Sequence, residues 1–505
     1  MAYLYKNEDW TIKDIDTVWK YIDKLARTKY GLDYYTPQIE IISADQMIGV
    51  CSTIGMPSYY HHWSIGKKVF ETEEEYQNGH QGLAYELVVN TNPCIVYLME
   101  NNNMTMQTLV LAHAAVGHNN FFKNNYMFKE WSDAENIVTY LKYAKRYIAK
   151  CEEKHGAVEV EELLDCAHSL ADNSVFRYKR HPKKTKVDQY SEAEWKEKFY
   201  NEVFSFITKE KSNPSDPEVD VETQKYYELW EVLGKAPPVF PEENLLYFLE
   251  KYSLTLKPWS REILRIVRVI AQYFYPQVHT KVMNEGWASF WHFEIMTDLM
   301  KQKKISGGNY LEFLSSHTGV VNQPITQKYH IPINPYWLGF NMFRDLKRIC
   351  IDPTEEDREF LPNIAGRKDE WVDILKNIAY SYRDDSFIQQ FLSPKLIREM
   401  GLFSCKYTEN DTYGEIDEVH DDLGYDSIRQ KLSNQMEFDF RTPNIQIVAA
   451  KEGKIILEYC DKYNRTLKKD ELEEVLLNFG ALYATDRDRV ELRQRNFNEE
   501  KANDD

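Results

Sequence analysis

Residues 105–122 read TMQTLVLAHAAVGHNNFF, and this apolar stretch indicates the fold class of the chain. Its hydrophobic residues recur at the spacing of an α-helix, and Asn124 and Asn125 follow where a helix would end. We therefore predict a helix that extends over the whole stretch. The helix carries two histidines, His113 and His118, in otherwise apolar surroundings.

Similar helical patterns recur along the chain, and the 20 glycines and 18 prolines make up under a tenth of its 505 residues. Residues 14–29 form one such pattern and predict an amphipathic helix. Residues 83–101 instead alternate β-branched and aromatic residues around a turn-forming stretch, which predicts a β-hairpin. The predicted fold is mainly α with α+β elements: a large helical domain that carries a β-hairpin, followed by a small C-terminal α+β appendage.

The composition changes twice along the chain. KEKSNPSDPEVD, residues 209–220, combines prolines, serines and charges of both signs, which predicts a surface loop. Beyond Asp439, NIQIVAAKEGKIILEYC reads as a strand, a turn and a strand, and a short helix follows. We therefore predict a mostly helical core domain over residues 1–438 and a small α+β region over residues 439–505, with a charged tail that begins at Arg493.

The charge balance and the cysteine pattern limit the class of protein. Lys and Arg number 62 against 80 Asp and Glu, and the net charge of −18 argues against nucleic acid as a partner. The seven cysteines include no CxxC pair, so neither a disulfide framework nor a zinc ribbon is indicated. The N-terminus lacks a signal-peptide pattern, and no stretch approaches the ~20 apolar residues of a membrane span. These patterns predict a cytoplasmic protein.

The two histidines of the first helix are candidates for a metal site, because rigid helices can present imidazole nitrogens to one ion. His113 and His118 are five residues apart, which on an α-helix separates them by about 140°. They can bind one ion only if the helix is locally distorted, for instance by a π-bulge near Gly117, or if the ion lies off the helix end. The alternative is that one of them is an ordinary core histidine.

A third candidate lies in the motif NEGWA, where apolar residues surround Glu285. An ionised carboxylate in that setting needs a cation or hydrogen-bond donors. His292 follows on nearly the same helix face but about 10.5 Å along the axis, so we expect it to contact a ligand residue or the substrate. The alternative for Glu285 is a buried ion pair with Lys281 or Arg344.

An aromatic, loop-like region covers residues 38–64 and contains YYHHWS at residues 59–64. A histidine in such a loop is a candidate for substrate contact, and we select His62, although aromatic packing explains it as well. The predicted catalytic residues are therefore Glu285, His292 and His62. No Gly-rich phosphate loop and no GxSxG motif occurs, which argues against nucleotide hydrolysis and an α/β-hydrolase.

Three longer motifs resemble the stage V sporulation protein R (SpoVR) family: GLAYELVVNTNPCIVYLMENNNMTMQTLVLAHAAVGHNNFFKNN, VMNEGWASFWH and INPYWLGFNMFRDL. The similarity places the family's AHxxxGH element on His113 and His118 and its NEGWA element on residues 284–288. The resemblance implies a cytoplasmic role in sporulation, through spore cortex formation, or in a stress response. It also implies two partners, a PrkA-like serine protein kinase and a YhbH-like protein, and it assigns no reaction.

NEGWA is also similar to the element by which gluzincin-type zinc peptidases supply a glutamate ligand. This chain has no glutamate after His113, so a general base would come from elsewhere, and the candidates are Glu86, Glu100 and Asp172.

The leading hypothesis is a metal-dependent hydrolase-like protein. Its divalent ion, such as zinc, is held by His113, His118 and Glu285, and activates water toward an amide or ester. The alternative is a non-catalytic regulatory or binding protein that acts with the PrkA-like kinase and the YhbH-like partner.

Overall fold

The structure is a computed structural model in which the chain divides into two compact units. One consists of Met1–Lys145 with Pro276–Glu437, and the other of Arg146–Tyr275 with Phe438–Asp505. The described residues are 3–53, 55–77, 86–177, 241–253, 255–323, 333–403, 405–406, 415–416, 420–437, 444–451, 454–461, 469–483 and 490–496.

Helices make up most of the described chain. In order they are α1 (Ile12–Lys29), α2 (Ala44–Ser52), α3 (Trp63–Gln77), α4 (Met104–Val110), α5 (Asn119–Asn124), α6 (Tyr126–Trp131), α7 (Ile137–His155), α8 (Ala157–Ser169), α9 (Leu245–Tyr252), α10 (Pro258–His279), α11 (Lys281–Lys301), α12 (Gly307–Val320), α13 (Pro335–Ile351), α14 (Glu355–Phe360), α15 (Trp371–Ser381), α16 (Asp384–Phe391), α17 (Pro394–Glu399), α18 (Asp422–Met436) and α19 (Lys469–Tyr483). A π-helical segment, Leu111–His118, joins α4 to α5. Among the described helices, none combines the length and the apolar character needed to cross a membrane.

The strands of the described residues form three small sheets. They are β1 (Pro37–Ile42), β2 (Glu86–Val89), β3 (Cys94–Met99), β4 (Cys405–Lys406), β5 (Glu415–Ile416), β6 (Asn444–Lys451), β7 (Lys454–Asp461) and β8 (Val490–Asn496). In the first unit the order is β1-β3-β2, with β2 antiparallel to β3 and β1 parallel to it. β3 is buried almost throughout because it lies between two strands, and β2 packs beside the π-helical segment.

The central helix of the first unit is α11, which is buried on nearly all sides, as a helix with apolar residues around its circumference must be. Asp384 of α16 holds its first turn by accepting hydrogen bonds from the backbone N–H groups of Val282 and Met283, both at 2.8 Å. The Trp287 indole N–H donates to Asn120 Oδ1 of α5, also at 2.8 Å. These bonds fix α11 against the helices on both sides.

Glycines allow the backbones of two neighbouring helical segments to contact α11. A Cβ at Gly286 would lie 2.4 Å from the carbonyl carbon of Gly339 in α13, and a Cβ at Gly339 would lie 2.1 Å from the carbonyl oxygen of Val282. On the π-helical segment, a Cβ at Gly117 would lie 2.6 Å from the Cα of Ala288. Each of these crossings leaves no room for a larger side chain.

The second unit combines helices with the sheet β6-β7-β8. β6 and β7 form an antiparallel hairpin, and β8 runs parallel to β7, with Leu492 opposite Leu457. α19 packs against α8 and α9, and the Ser253 hydroxyl donates a 2.6 Å hydrogen bond to the carbonyl of Leu482. The C-terminal strands and helix therefore share a core with residues from Arg146–Tyr275.

The predicted fold class, mainly α with α+β elements and a β-hairpin, is confirmed. Residues 38–64, which read as a loop, instead include most of β1, all of α2 and the start of α3. β1 forms because it pairs with β3, and such a long-range contact leaves little local signal. Residues 493–496 belong to β8 and not to a tail, because they pair with β7.

Two features of the predicted domain organisation stay predictions. The surface loop at residues 209–220 lies outside the described residues. The division at residues 438 and 439 falls beside the border between Glu437 and Phe438, where one unit ends and a segment of the other begins.

The glycine crossings lead to a stability prediction. Gly286→Ala or Gly339→Ala should lower the free energy of unfolding by about 1–3 kcal/mol, because the added methyl group has to displace backbone atoms. Gly319→Ala is the matched control, since Gly319 is exposed in α12 with open space at its Cβ position. That variant should be neutral or stabilised by up to about 1 kcal/mol. Urea unfolding followed by circular dichroism measures all three, and equal effects at the three positions would contradict the close approach.

Candidate metal centre

The two histidines of the first motif lie on the π-helical segment Leu111–His118 and not on a regular α-helix. At its end the backbone N–H of Asn119 bonds to the carbonyl of Ala114, five residues earlier. Because residues five apart then lie on one face, His113 Nε2 comes to 3.0 Å from His118 Nε2. The local helix distortion, one of the two arrangements that would let this pair bind one ion, is therefore present.

Glu285 of α11 faces both histidines. Its Oε2 atom lies 3.3 Å from His118 Nε2 and 3.9 Å from His113 Nε2. This oxygen is inaccessible to solvent and accepts no hydrogen bond. Lys281 and Arg344, the alternative partners of Glu285, are both exposed, and the ion pairs described for Glu285 are those with the histidines.

The spacing of these three atoms fits a metal site. Zinc bonds of about 2.1 Å place tetrahedral ligand atoms about 3.4 Å apart. The observed separations run from 3.0 to 3.9 Å. Two imidazole nitrogens and a carboxylate oxygen that lacks a donor form a set that zinc and related divalent ions bind. The residues present, His113, His118 and Glu285, therefore fit a divalent cation.

The outward nitrogens of both rings are also engaged. His118 Nδ1–H donates to Asn284 Oδ1 at 2.9 Å, which leaves the Nε2 lone pair of His118 directed at Glu285. His113 Nδ1 lies 2.8 Å from Nδ1 of His292, which lies on α11. Since Asn284, Glu285 and His292 all belong to one helix, α11 both completes the cluster and orients its rings.

Burial and neighbouring charges set the protonation of the metal-free cluster. Burial lowers the pKa of His113 well below its ordinary value, and the nearby His118 lowers it further. Burial also acts to lower the pKa of His118, but the Glu285 carboxylate and the hydrogen bond to Asn284 outweigh burial and raise this pKa overall. The Glu285 carboxylate thus favours positive charge beside it, and a metal cation bound between the three residues would supply that charge.

Glu86, the first residue of β2, brings a second carboxyl group to the cluster. Its Oε1 atom lies 3.8 Å from His113 Nε2. Burial raises the pKa of Glu86 to about 7, while His118 opposes this shift and Glu285 reinforces it. Of the three candidate bases, Glu86 is the one in contact with the cluster: Glu100 is exposed after β3, and Asp172 belongs to the second unit.

Tyr336 of α13 is a site residue that the sequence analysis did not single out. Its ring stacks on His113 with 6.4 Å between the ring centroids. Burial and the carboxylates of Glu285 and Glu86 raise the pKa of Tyr336, so its hydroxyl remains a neutral donor. Its position at the start of the helix that begins at Pro335, within a motif already quoted, is the signal that could have identified it.

His292 contacts His113, a predicted ligand residue, and its predicted catalytic role stays a prediction. Besides its contact with His113, its Nε2 atom lies 2.7 Å from Nδ1 of His317 in α12. His317 is buried among the rings of Phe313 and Phe340. The sequence did not indicate His317, because its only pattern is that of a lone histidine on an otherwise ordinary helix.

His62 is not one of the three converging residues. It precedes α3, where its Nδ1 atom lies 2.7 Å from Ser64 Oγ and its ring centroid lies 5.6 Å from that of Trp63. These contacts are typical of a residue that starts a helix. The catalytic role of His62 stays a prediction.

The raised pKa of Glu86 predicts a pH-dependent effect of Glu86→Gln on the metal-free protein. Between the unfolded value near 4.5 and the folded value of about 7, the folded state binds the extra proton, so wild-type stability falls as pH rises through this range. The variant lacks this loss. With chelator present, its melting temperature should exceed that of wild type at pH 8, and the difference should largely vanish at pH 5. A difference of equal size at both pH values would contradict the raised pKa.

Known proteins support the similarity seen in the motifs. A family model described as "SpoVR like protein" matches residues 9–441. "Uncharacterized protein YcgB" of Escherichia coli (strain K12) is 46% identical over 440 residues, which cover 87% of this chain and 84% of that relative. No solved structure matches the chain. The family match includes the β2–β3 hairpin, the π-helical segment and the helices α11 and α13. The chain therefore belongs to the SpoVR family.

Proposed function

We propose that this protein is a metal-dependent hydrolase-like enzyme that holds a divalent cation, such as zinc, between His113, His118 and Glu285. The observation that supports it most is Glu285 Oε2, a solvent-inaccessible carboxylate oxygen that accepts no hydrogen bond and faces two imidazole nitrogens. A buried charged oxygen without a donor is costly, and a cation bound there would remove the cost.

When bound, such an ion lowers the pKa of water and polarises a carbonyl oxygen. The chain's own residues supply the proton transfers. Glu86, whose pKa of about 7 lies near neutral pH, can accept a proton from water at Oε1 and return it to a leaving group. Tyr336 offers a neutral hydroxyl beside Glu285 that can donate to an oxygen that gains negative charge. This combination suits the addition of water to an amide or ester.

Family membership supports a further proposal about physiology. We place the protein in sporulation, through spore cortex formation, or in a stress response within the cytoplasm, with a PrkA-like serine protein kinase and a YhbH-like protein as partners. Co-purification of both partners with the tagged full-length chain tests this proposal.

Metal content tests the ligand set directly. Purified wild-type protein, loaded with zinc and dialysed, should retain stoichiometric zinc by elemental analysis, and His118→Ala and Glu285→Ala should lose it, because each removes one of three ligands. His61→Ala is the control, since His61 is exposed and lies outside the cluster. A wild-type protein that stays folded and binds no zinc, manganese or iron would support the non-catalytic alternative.

Thermal melts of Glu285→Gln separate a ligand from a structural ion pair. If Glu285 binds an ion, chelator should lower the melting temperature of zinc-loaded wild type toward that of the variant and leave the variant unchanged, because metal binding is linked to folding. If Glu285 only neutralises a buried histidine, the variant should lose on the order of 3–5 kcal/mol of stability with or without chelator. An unchanged wild-type melt in chelator, together with a strongly destabilised variant, would overturn the metal proposal.

The base is tested by separating zinc binding from turnover. Zinc-loaded Glu86→Gln should retain its metal but hydrolyse p-nitrophenyl acetate at least ~100-fold more slowly than wild type, because an amide cannot accept the proton. His61→Ala should keep the wild-type rate. Equal rates in wild type and Glu86→Gln would remove Glu86 from the mechanism while leaving the metal site standing.

A further inference from the structure

Three imidazole rings, those of His113, His292 and His317, contact one another in a series that leads away from the candidate metal centre. We call it the imidazole series. His113 Nδ1 lies 2.8 Å from His292 Nδ1, and His292 Nε2 lies 2.7 Å from His317 Nδ1. All three residues are at most 3% exposed. The imidazole series joins the π-helical segment to α11 and α12, so it depends on three separate parts of the sequence.

In each of the two contacts a hydrogen lies between two ring nitrogens, so one nitrogen donates and the other accepts. A neutral imidazole carries one N–H and one lone pair, so each ring donates through one nitrogen and accepts through the other.

The hydrogen bonds of the imidazole series can therefore all be donated in one of two directions. In the outward direction, His113 Nδ1–H donates to His292, and His292 Nε2–H donates to His317 Nδ1. His113 Nε2 then carries a lone pair that faces His118 and Glu285. In the inward direction every donor and acceptor is exchanged, and His113 Nε2 carries a hydrogen that prevents this nitrogen from binding a cation.

We propose that His292 and His317 are positioning residues that hold His113 in the tautomer whose Nε2 lone pair faces the cation site. This inference rests on the proposed metal function and extends it beyond the three ligands. His317 is the outer acceptor: its Nδ1 lone pair completes the outward direction by accepting the His292 N–H. Without that acceptor, the outward direction leaves a buried N–H without a partner, and such donors are rare in folded proteins. The balance then moves to the inward direction, in which His113 cannot bind metal.

The packing around His317 indicates that its ring is held for this contact. The ring centroid of Phe340 lies 4.7 Å from that of His317, and the centroid of Phe313 lies 5.6 Å away. The ring of Phe293 lies at 5.1 Å. Three aromatic neighbours restrict the side chain to one orientation, with Nδ1 toward His292.

The zinc affinity of the full-length protein tests the positioning role of His292 and His317 through a matched pair of variants. His317→Leu removes the acceptor and should weaken zinc binding by ~10–100-fold, the range found when a ligand loses its orienting partner. His317→Asn places an amide oxygen near the position of Nδ1 and should keep affinity near that of wild type. Phe313→Leu is the packing control, because it alters a wall of the same pocket without removing a hydrogen bond, and its affinity should also stay near wild type. Competition with a chelator measures all four proteins, and circular dichroism confirms that each is folded.

Ring nitrogen shifts of ¹⁵N-histidine-labelled protein report the tautomers themselves. Zinc-loaded wild type should show His113 and His292 in the outward arrangement. Zinc-free His317→Leu should show His113 with its hydrogen on Nε2. The positioning role is overturned if His317→Leu binds zinc as tightly as wild type. It is also overturned if His317→Asn or Phe313→Leu loses as much affinity as His317→Leu, or if the shifts show the opposite tautomers. In those cases wild type still binds zinc and the proposed function stands, whereas a wild type that binds no zinc fails the proposed function itself.

Discussion

The backbone contact between the π-helical segment and α11 is the constraint on which the rest of the site depends. Gly117 lies against Ala288 so closely that a single methyl group would overlap the Cα atom. Because the two backbones touch, the histidines of one segment and Glu285 of the other can meet at distances of 3.3 to 3.9 Å. Gly286 and Gly339 repeat this arrangement on another side of α11 and bring Tyr336 of α13 to the same cluster. Small residues at helix crossings therefore determine where the polar groups lie.

The chemistry of the cluster follows from its burial. Water cannot reach Glu285 Oε2, so its charge has to be balanced by the protein or by a bound cation. The same burial keeps His113 neutral and raises the pKa of Glu86 into the range where a carboxyl group can exchange protons near pH 7. The exclusion of solvent thus explains both why His113 can donate an electron pair to a cation and why the Glu86 carboxyl group can act as an acid or a base.

Hydrogen bonds outside the cluster also fix α11 within the first unit. Asp384 supplies hydrogen bonds to the first turn of α11 that no residue of that helix provides, and Asn120 bonds the indole of Trp287. These polar contacts lie next to the cluster but do not enter it. They hold α11 in register, while the atoms that face the cluster remain directed at one another.

The sequence by itself determined the fold class, the hairpin and the identity of the three converging residues. Helical periodicity and turn residues are local, so the pattern of residues 105–122 was sufficient to predict a helix that carries His113 and His118. An isolated glutamate in NEGWA was sufficient to indicate a buried charge in need of a partner. The tertiary structure alone decided the π-helical turn that places histidines five apart on one face, since its stability comes from packing against α11 and not from local preference. It also decided the contacts of Glu86, Tyr336 and His317, because each lies on a different element, and only the folded chain brings them together.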